Sequence, residues 1–377
     1  MNVVTPFSPL EASRLARAKR AYTTGRVDLS RATRLLAGPV HPSAGDLVLA
    51  RVESLGQHQR IELPSGRRAH LHPGDEIVVC FGRRYAPDQF EAELPEALGE
   101  CHLVAAGGIA ATMVSKHRSM KRPTRIHTLG ILTDDDGRRL NLSDHALRPA
   151  AQPARRPPVV AVVGTSMNAG KTTTAAALVR GMVANGVRVG AIKVTGTGAG
   201  GDVWMFHDSG AEQVYDFTAA GHPSTLGLEL EQVEQVVETL IAQLAADGVE
   251  AIVMEVADGL FQRETAALLR SAVFRRSIDK LVFAAGDAMG AVAGAAHLLA
   301  CRLPLVAVSG ALTQSPLSTR EAASVIEAPV VPVAEFQSLD WRNLMPLAWT
   351  RMEMHPRSSA RHPEPAARRL ALGEMES

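Results

Sequence analysis

Gly164-Thr165-Ser166-Met167-Asn168-Ala169-Gly170-Lys171-Thr172-Thr173 is the stretch on which the reading of the chain turns. It follows the apolar run Val159-Val160-Ala161-Val162-Val163 and precedes an alanine-rich stretch, Thr174 to Val183. That order predicts strand, glycine-rich turn and helix, which is the setting of a phosphate-binding loop. Backbone N–H groups of Gly164, Thr165, Asn168, Ala169, Gly170, Lys171, Thr172 and Thr173 are the candidates to hold phosphate at the helix N-terminus. Lys171 is expected to reach the outer phosphates, and the Thr172 hydroxyl to sit on Mg²⁺. Five residues separate the two glycines, where the common pattern has four. The loop is a variant form.

At 377 residues the length suggests two domains. Apolar residues make up 46% and aromatic residues only 4%, so the cores must be aliphatic. The net charge of +1 gives no electrostatic case for a nucleic-acid or membrane partner. Six lysines stand against 34 arginines, which makes Lys171 and Lys193 conspicuous. Cys80, Cys101 and Cys301 are widely spaced, form no metal pattern and fit a reduced cytoplasmic setting. Met1 to Leu10 lacks a basic region followed by an apolar segment, so no signal peptide is expected. No uninterrupted apolar stretch reaches the roughly 18 residues of a membrane span.

Two short helices are expected within residues 11–37, the second running from Leu29 to Ala37 behind an Asp28 cap. Residues 45–95 then carry short strands, Asp46–Val52, Arg60–Leu63 and Glu76–Gly82, with turn signals between them. Cys101–Ala106, Ile109–Val114, Ile126–Thr133 and Arg139–Leu142 continue the pattern. This reads as a small β-rich, barrel-like α+β domain over 1–148. Lys116, His117, Arg118, Lys121, Arg122 and Arg125 form a basic run, open to two readings: a receiver of anionic ligand or a solvated loop. Residues 149–158 form a proline-rich linker and the expected domain boundary.

From 159 to 350 strand and helix alternate. Val187–Val194, Ala251–Met254, Lys280–Ala285, Leu305–Val308 and Val330–Val333 read as strands. Leu230–Ala246, Thr265–Val273 and Gly290–Leu299 read as helices. The expected fold is α/β, a doubly wound and mostly parallel sheet. Residues 354–377 read as a disordered tail. Ligands of such sheets bind beyond the carboxyl ends of the strands. The second strand delivers Lys193 and a glycine-rich turn ending at Asp202, suited to a phosphorylated or carboxylated substrate. The third delivers Glu255-Val256-Ala257-Asp258-Gly259. Mg²⁺ commonly takes one or two carboxylates plus substrate phosphates, and Thr172, Asp202 and Glu255 would supply that shell.

These motifs, in this order, resemble the dethiobiotin synthetase type of P-loop protein, in the group that includes nitrogenase-iron-protein-like and MinD-like ATPases. The resemblance covers about residues 157–345 and rests on the long loop at Gly164–Thr172, on Lys193 followed by Thr197, on Asp202 and Glu255, and on His222-Pro223-Ser224-Thr225. Gly286 to Gly290 before a helix, and the strands at 305–308 and 330–333, keep the same order. The resemblance implies Lys171, Lys193 and Thr197 as the residues acting at the transferred group. Ser166, Met167 and Asn168 stand where the family carries an acid and substrate-touching polar groups, and Ser309-Gly310 replaces its adenine-reading Asn. Val189-Gly190-Ala191-Ile192-Lys193 also resembles MobB-like, GTP-binding accessory proteins of molybdenum-cofactor synthesis. A further P-loop family of poorly defined function, some of whose members act on amino acids, pairs a different N-terminal domain with a similar loop.

The leading expectation is a Mg²⁺- and ATP-dependent ligase or carboxylase-like enzyme, with GTP as the other candidate nucleotide. It activates a small carboxylate or carbamate by phosphoryl transfer and couples it to an amine. The N-terminal domain closes over the site or binds the acceptor. The competing readings are a nucleotide-binding accessory or maturation protein and a small-molecule kinase. A homodimer is expected by analogy alone.

Overall fold

The β-rich half closes into a barrel because its strands bury both faces. A computed structural model describes residues 6–148, 150 and 156–338. Five strands form the ring: β1 (Leu47–Ser54), β2 (Glu76–Phe81), β3 (Glu100–Ala105), β4 (Ile109–Lys116) and β5 (Thr124–Thr133). Their order is β5-β1-β2-β4-β3, and β3 pairs back to β5. All neighbours are antiparallel except β2 and β4. Alternate residues serve two cores, as strand geometry dictates. Leu47, Leu49, Val78, Cys80, Ile109 and Leu132 enter one, and Val48, Ala50, Ile77, Val79, Phe81 and Ile126 the other.

The hairpin Arg84–Tyr85/Phe90–Glu93 extends this sheet from β4. Arg60–Glu62 pairs with Arg68–His70 in a separate ribbon. Several local expectations are corrected. Leu29–Ala37 is not a helix. Asp28 does cap, accepting from Ser30 N at 3.0 Å, but the turn is a single 3₁₀ element, Leu29–Arg31. Arg34–Leu36 is a strand on β5, because Leu35 and Leu36 bury into the barrel cores. The expected strand Arg139–Leu142 is reduced to isolated bridges at Arg139 and Asn141.

The second sheet has six strands, all parallel: β6 (Val159–Gly164), β7 (Val189–Lys193), β8 (Gln213–Asp216), β9 (Ala251–Glu255), β10 (Lys280–Ala284) and β11 (Leu305–Ser309). Their order is β8-β7-β9-β6-β10-β11, which puts the loop-bearing strand β6 near the centre. Every residue of β6 is buried, as expected for a central strand covered on both faces. Helices α1 (Lys171–Ala184), α2 (Gly201–Asp208), α3 (Leu230–Ala246) and α4 (Ala288–Ala300) are among those that cover it. α3 buries Val233, Val236, Val237, Leu240, Ile241 and Leu244 on one face, matching the expected periodicity. Three differences stand out. α2 begins at Gly201, at the close of the expected glycine-rich turn, β8 adds an edge strand, and Val330–Val333 contributes only a bridge from Val330 to Val308.

The fold is therefore a P-loop α/β sheet preceded by a β-rich barrel, and both sheets belong to one compact unit. Most of the linker, and the tail from residue 339, lie outside the described residues.

Candidate functional site

The loop after β6 is shaped by close approach. A Cβ on Gly164 would meet Lys171 Cγ at 2.6 Å, so the glycine lets the lysine fold back across the strand end. Gly170 has φ +92° and precedes α1, and a Cβ there would meet Ala311 N at 2.9 Å. Ala169 O accepts from Ala311 N at 2.9 Å, which ties the loop to the end of β11. Lys171, the first residue of α1, donates from Nζ to Ser166 O at 2.7 Å. Burial pushes its pKa down, with Glu255 opposing.

Groups from α1, α2 and the end of β9 meet at Thr172. Its Oγ1 lies 3.0 Å from Glu255 Oε1 and 3.2 Å from Asp202 Oδ1. Glu255 closes β9 and is 1% exposed, and it registers beside Lys193 on β7. Asp202 sits in the first turn of α2 and pairs with Lys193 Nζ. Burial raises the Glu255 carboxyl, Asp202 raises it further, and the two lysines only partly offset this. Burial also disfavours the Lys193 charge, but Asp202 and Glu255 outweigh it and hold the ammonium well above its ordinary range. Asp202 is desolvated too, yet Lys193 keeps its pKa low.

Glu255 Oε2 is buried with no hydrogen-bond partner among the described residues. A buried carboxylate oxygen left without a partner is costly, and a cation beside Thr172 would satisfy it. Two carboxylates and a hydroxyl fit Mg²⁺, which keeps several waters and takes few protein ligands. Among the described residues no group of three or more His, Cys, Asp and Glu is placed to hold a metal, so a metal demanding a protein-only shell does not fit.

Thr197 does not join this cluster through any hydrogen bond among the described residues. It bridges to Ser224, and Thr225 Oγ1 accepts from Gly196 N at 2.8 Å. His222–Thr225 therefore braces the 195–200 loop. Ser309 Oγ, at the end of β11, donates to Val331 O at 2.7 Å. The basic run lies apart: Lys116 and His117 line a cavity of about 260 Å³ with Tyr85 and Gln89, and Arg125 pairs with Glu100.

Sequence reading missed the residues that the barrel brings to the site. Glu62, 2% exposed, accepts from Gly200 N and Trp204 Nε1, both at 3.0 Å. Tyr22 Oη donates to Asp216 Oδ2 at 2.9 Å at the end of β8. Asn168 Nδ2, in the phosphate loop, donates to Asp88 Oδ2 at 2.9 Å. Asp258, three residues beyond Glu255, is half-buried and makes no hydrogen bond among the described residues. Burial raises its pKa, and Lys193, Lys171 and Arg84 pull it down. Only Asp258 carried a signal, since it shares the strand end with Glu255. The other contacts join segments more than 75 residues apart, across two sheets.

A family model described as a P-loop domain of unknown function, the DUF1611 C-terminal domain, matches residues 148–210. That interval holds β6, the phosphate loop, α1, β7 and α2, and the chain carries a P-loop nucleotide-binding domain. Among solved structures, the chain is similar to the signal recognition particle receptor FtsY of Elizabethkingia anophelis in complex with GDP, at 15% identity and TM-score 0.32, covering 52% of this chain and 58% of that one. It is similar to the signal recognition particle 54 kDa protein of Aeropyrum pernix K1 in complex with GDP, at 21% identity and TM-score 0.34, covering 52% and 48%. It is similar to chloroplast FtsY of Physcomitrella patens, at 16% identity and TM-score 0.33, covering 50% and 62%. The chain thus spans less than two thirds of the length of each. No curated protein matches the chain. Among the described residues no helix is long and apolar enough to cross a membrane.

Proposed function

Starting from a P-loop nucleotide-binding domain, we propose that the chain is a Mg²⁺- and nucleoside-triphosphate-dependent enzyme of ligase type. It activates a small carboxylate or carbamate by phosphoryl transfer and joins it to an amine. The observation that carries the reading is the convergence of Thr172, Asp202 and Glu255 on one point, with Glu255 Oε2 buried and unpartnered. Bound there, Mg²⁺ supplies charge neutralisation at the phosphates.

The remaining work falls to the chain's own groups. The backbone N–H groups of Gly164–Thr173 cradle phosphate. Lys171, released from Ser166 O, neutralises charge on the outer phosphates. Lys193 has Asp202 for a partner and holds the acceptor side at the end of β7. The barrel, tied to the 200–204 segment by Glu62, walls off the acceptor side and limits water. ATP is the first candidate nucleotide, with GTP as the alternative.

The test is phosphate release with each nucleotide, with and without small carboxylates and amines, followed by product mass. The expected result is release stimulated by a carboxylate–amine pair, with an amide-type product. Lys171→Ala is expected to lose at least about 10²-fold of turnover, since a preorganised charge contact is worth several kcal/mol. Release that no small acceptor stimulates, or normal turnover by Lys171→Ala, counts against the reading.

A further inference from the structure

Arg84 begins the hairpin that leaves the barrel, and it is 6% exposed. Buried charges are normally paired, because an uncompensated ion in a low-dielectric interior is expensive. Arg84 forms no salt bridge within 4 Å among the described residues. Its Nη2 donates to Gln89 Oε1 at 2.8 Å, a neutral acceptor. Its Nη1 lies 3.1 Å from His58 Nε2, but that nitrogen also lies 2.9 Å from Val104 O. One ring nitrogen cannot both donate to Val104 O and accept from Arg84. Arg84 Nε is buried and has no partner. The guanidinium also stands over the Phe90 ring, 5.8 Å from its centroid. Five donors are held rigidly, and they are largely unspent.

The surroundings say which way those donors are needed. Burial lowers the Arg84 pKa to about 10, and Asp88 and Asp258 act on it through space. Burial, with Arg84 beside it, pushes His58 down to about 4, so the imidazole is neutral and offers no competing charge. Asp88 is fixed by its Oδ2 to Asn168 at the tip of the phosphate loop, and its Oδ1 is buried and unpartnered. Asp258 is felt by Lys171, Lys193 and Arg84 and hydrogen-bonds none of them. Three cations from two sheets therefore share one carboxylate that satisfies none of them. Asp88 and Asp258 would repel a bare anion, so the ligand this arrangement suits is an anion brought in with a divalent cation.

We infer that Arg84 is a phosphoryl-contacting residue delivered by the barrel, which binds the terminal phosphoryl group of a Mg²⁺-bound nucleoside triphosphate. The inference rests on the nucleotide site proposed above. It makes the barrel a reader of the outermost phosphate as well as a wall. An arginine supplied to a phosphoryl group in this way stabilises charge that a diphosphate lacks.

The experiment compares wild type, Arg84→Gln and Arg84→Lys by calorimetric binding of two probe pairs with Mg²⁺. These are the imido analogue of ATP against ADP, and the imido analogue of GTP against GDP. Arg84→Gln is expected to weaken the triphosphate analogue of the preferred pair by about ten-fold or more, as a lost charge-assisted contact does. Diphosphate affinity is expected to stay within about two-fold, and Arg84→Lys to fall between, because lysine keeps charge without the fork. Without nucleotide, Arg84→Gln is expected to melt no lower than wild type, since it removes an unpaired buried ion. Equal losses for both nucleotides, or no loss for either, overturn the inference and leave the nucleotide site standing. Wild type that binds none of the four probes removes the nucleotide site and the inference together.

Discussion

On the parallel-sheet side of the site, every lysine has a partner. Lys171 donates to Ser166 O, and Lys193 pairs with Asp202. On the barrel side, Arg84 lies buried without an ion pair, and Asp88 Oδ1 and Arg84 Nε are unpartnered. The first side pairs its lysines without ligand and leaves Glu255 Oε2 without a partner. The second is left incomplete by the fold, and incompleteness in a buried polar group is where a ligand has most to contribute. The two sides are joined by neutral and charged hydrogen bonds at Tyr22, Glu62 and Asn168. Each side lacks a counter-charge: Glu255 Oε2 lacks a cation, and Arg84 lacks an anion.

That contrast can be broken from the parallel-sheet side first. Burial and Asp202 raise the Glu255 carboxyl from its ordinary 4.5 to about 7. An acid raised on folding binds more protons folded than unfolded between those two values. Relative to its acid-side value, the fold therefore loses stability as pH rises from about 4.5 through about 7. Glu255→Gln removes this dependence. Without metal, it is expected to stabilise the chain relative to wild type at pH 8 on the order of 2 kcal/mol, and to do far less near pH 5. Melting curves at the two pH values measure the difference, and the same offset at both would show that Glu255 does not carry the strain assigned to it.

A smaller effect sharpens the joint between the two regions. Tyr22→Phe removes the donor to Asp216, which keeps its bond from Thr218 N at 2.9 Å. The expected loss is about 1 kcal/mol in denaturant unfolding, within one shared transition. Two separate transitions, with only one displaced, would mean that barrel and sheet unfold apart and that the contact does not couple them.

Legibility followed chain distance. Lys171, Thr172 and Glu255 could be read because a parallel sheet puts its chemistry at strand ends, and apolar runs mark where strands end. Asp202 could be named, but its setting could not. Gly200-Gly201 reads as a turn, while the chain starts α2 there, capped under the barrel by the Glu62 contact to Gly200 N. Leu29–Ala37 misled for the opposite reason, since its local preference for helix yields to Leu35 and Leu36 packing in the barrel. Arg84 and Asp88 gave no signal at all. Their meaning depends on Asn168 and Asp258, which are 80 or more residues away and reach them only when two sheets meet.

The central claim is that Thr172, Asp202 and Glu255 hold Mg²⁺ beside a nucleotide cradled by Gly164–Thr173. Calorimetric binding of the imido analogues of ATP and GTP, with Mg²⁺ and then with a chelator, tests it most directly. The account predicts binding that depends on Mg²⁺ and that Glu255→Gln weakens by about ten-fold or more. Equal affinity with Mg²⁺ and with chelator, unchanged in Glu255→Gln, would contradict it.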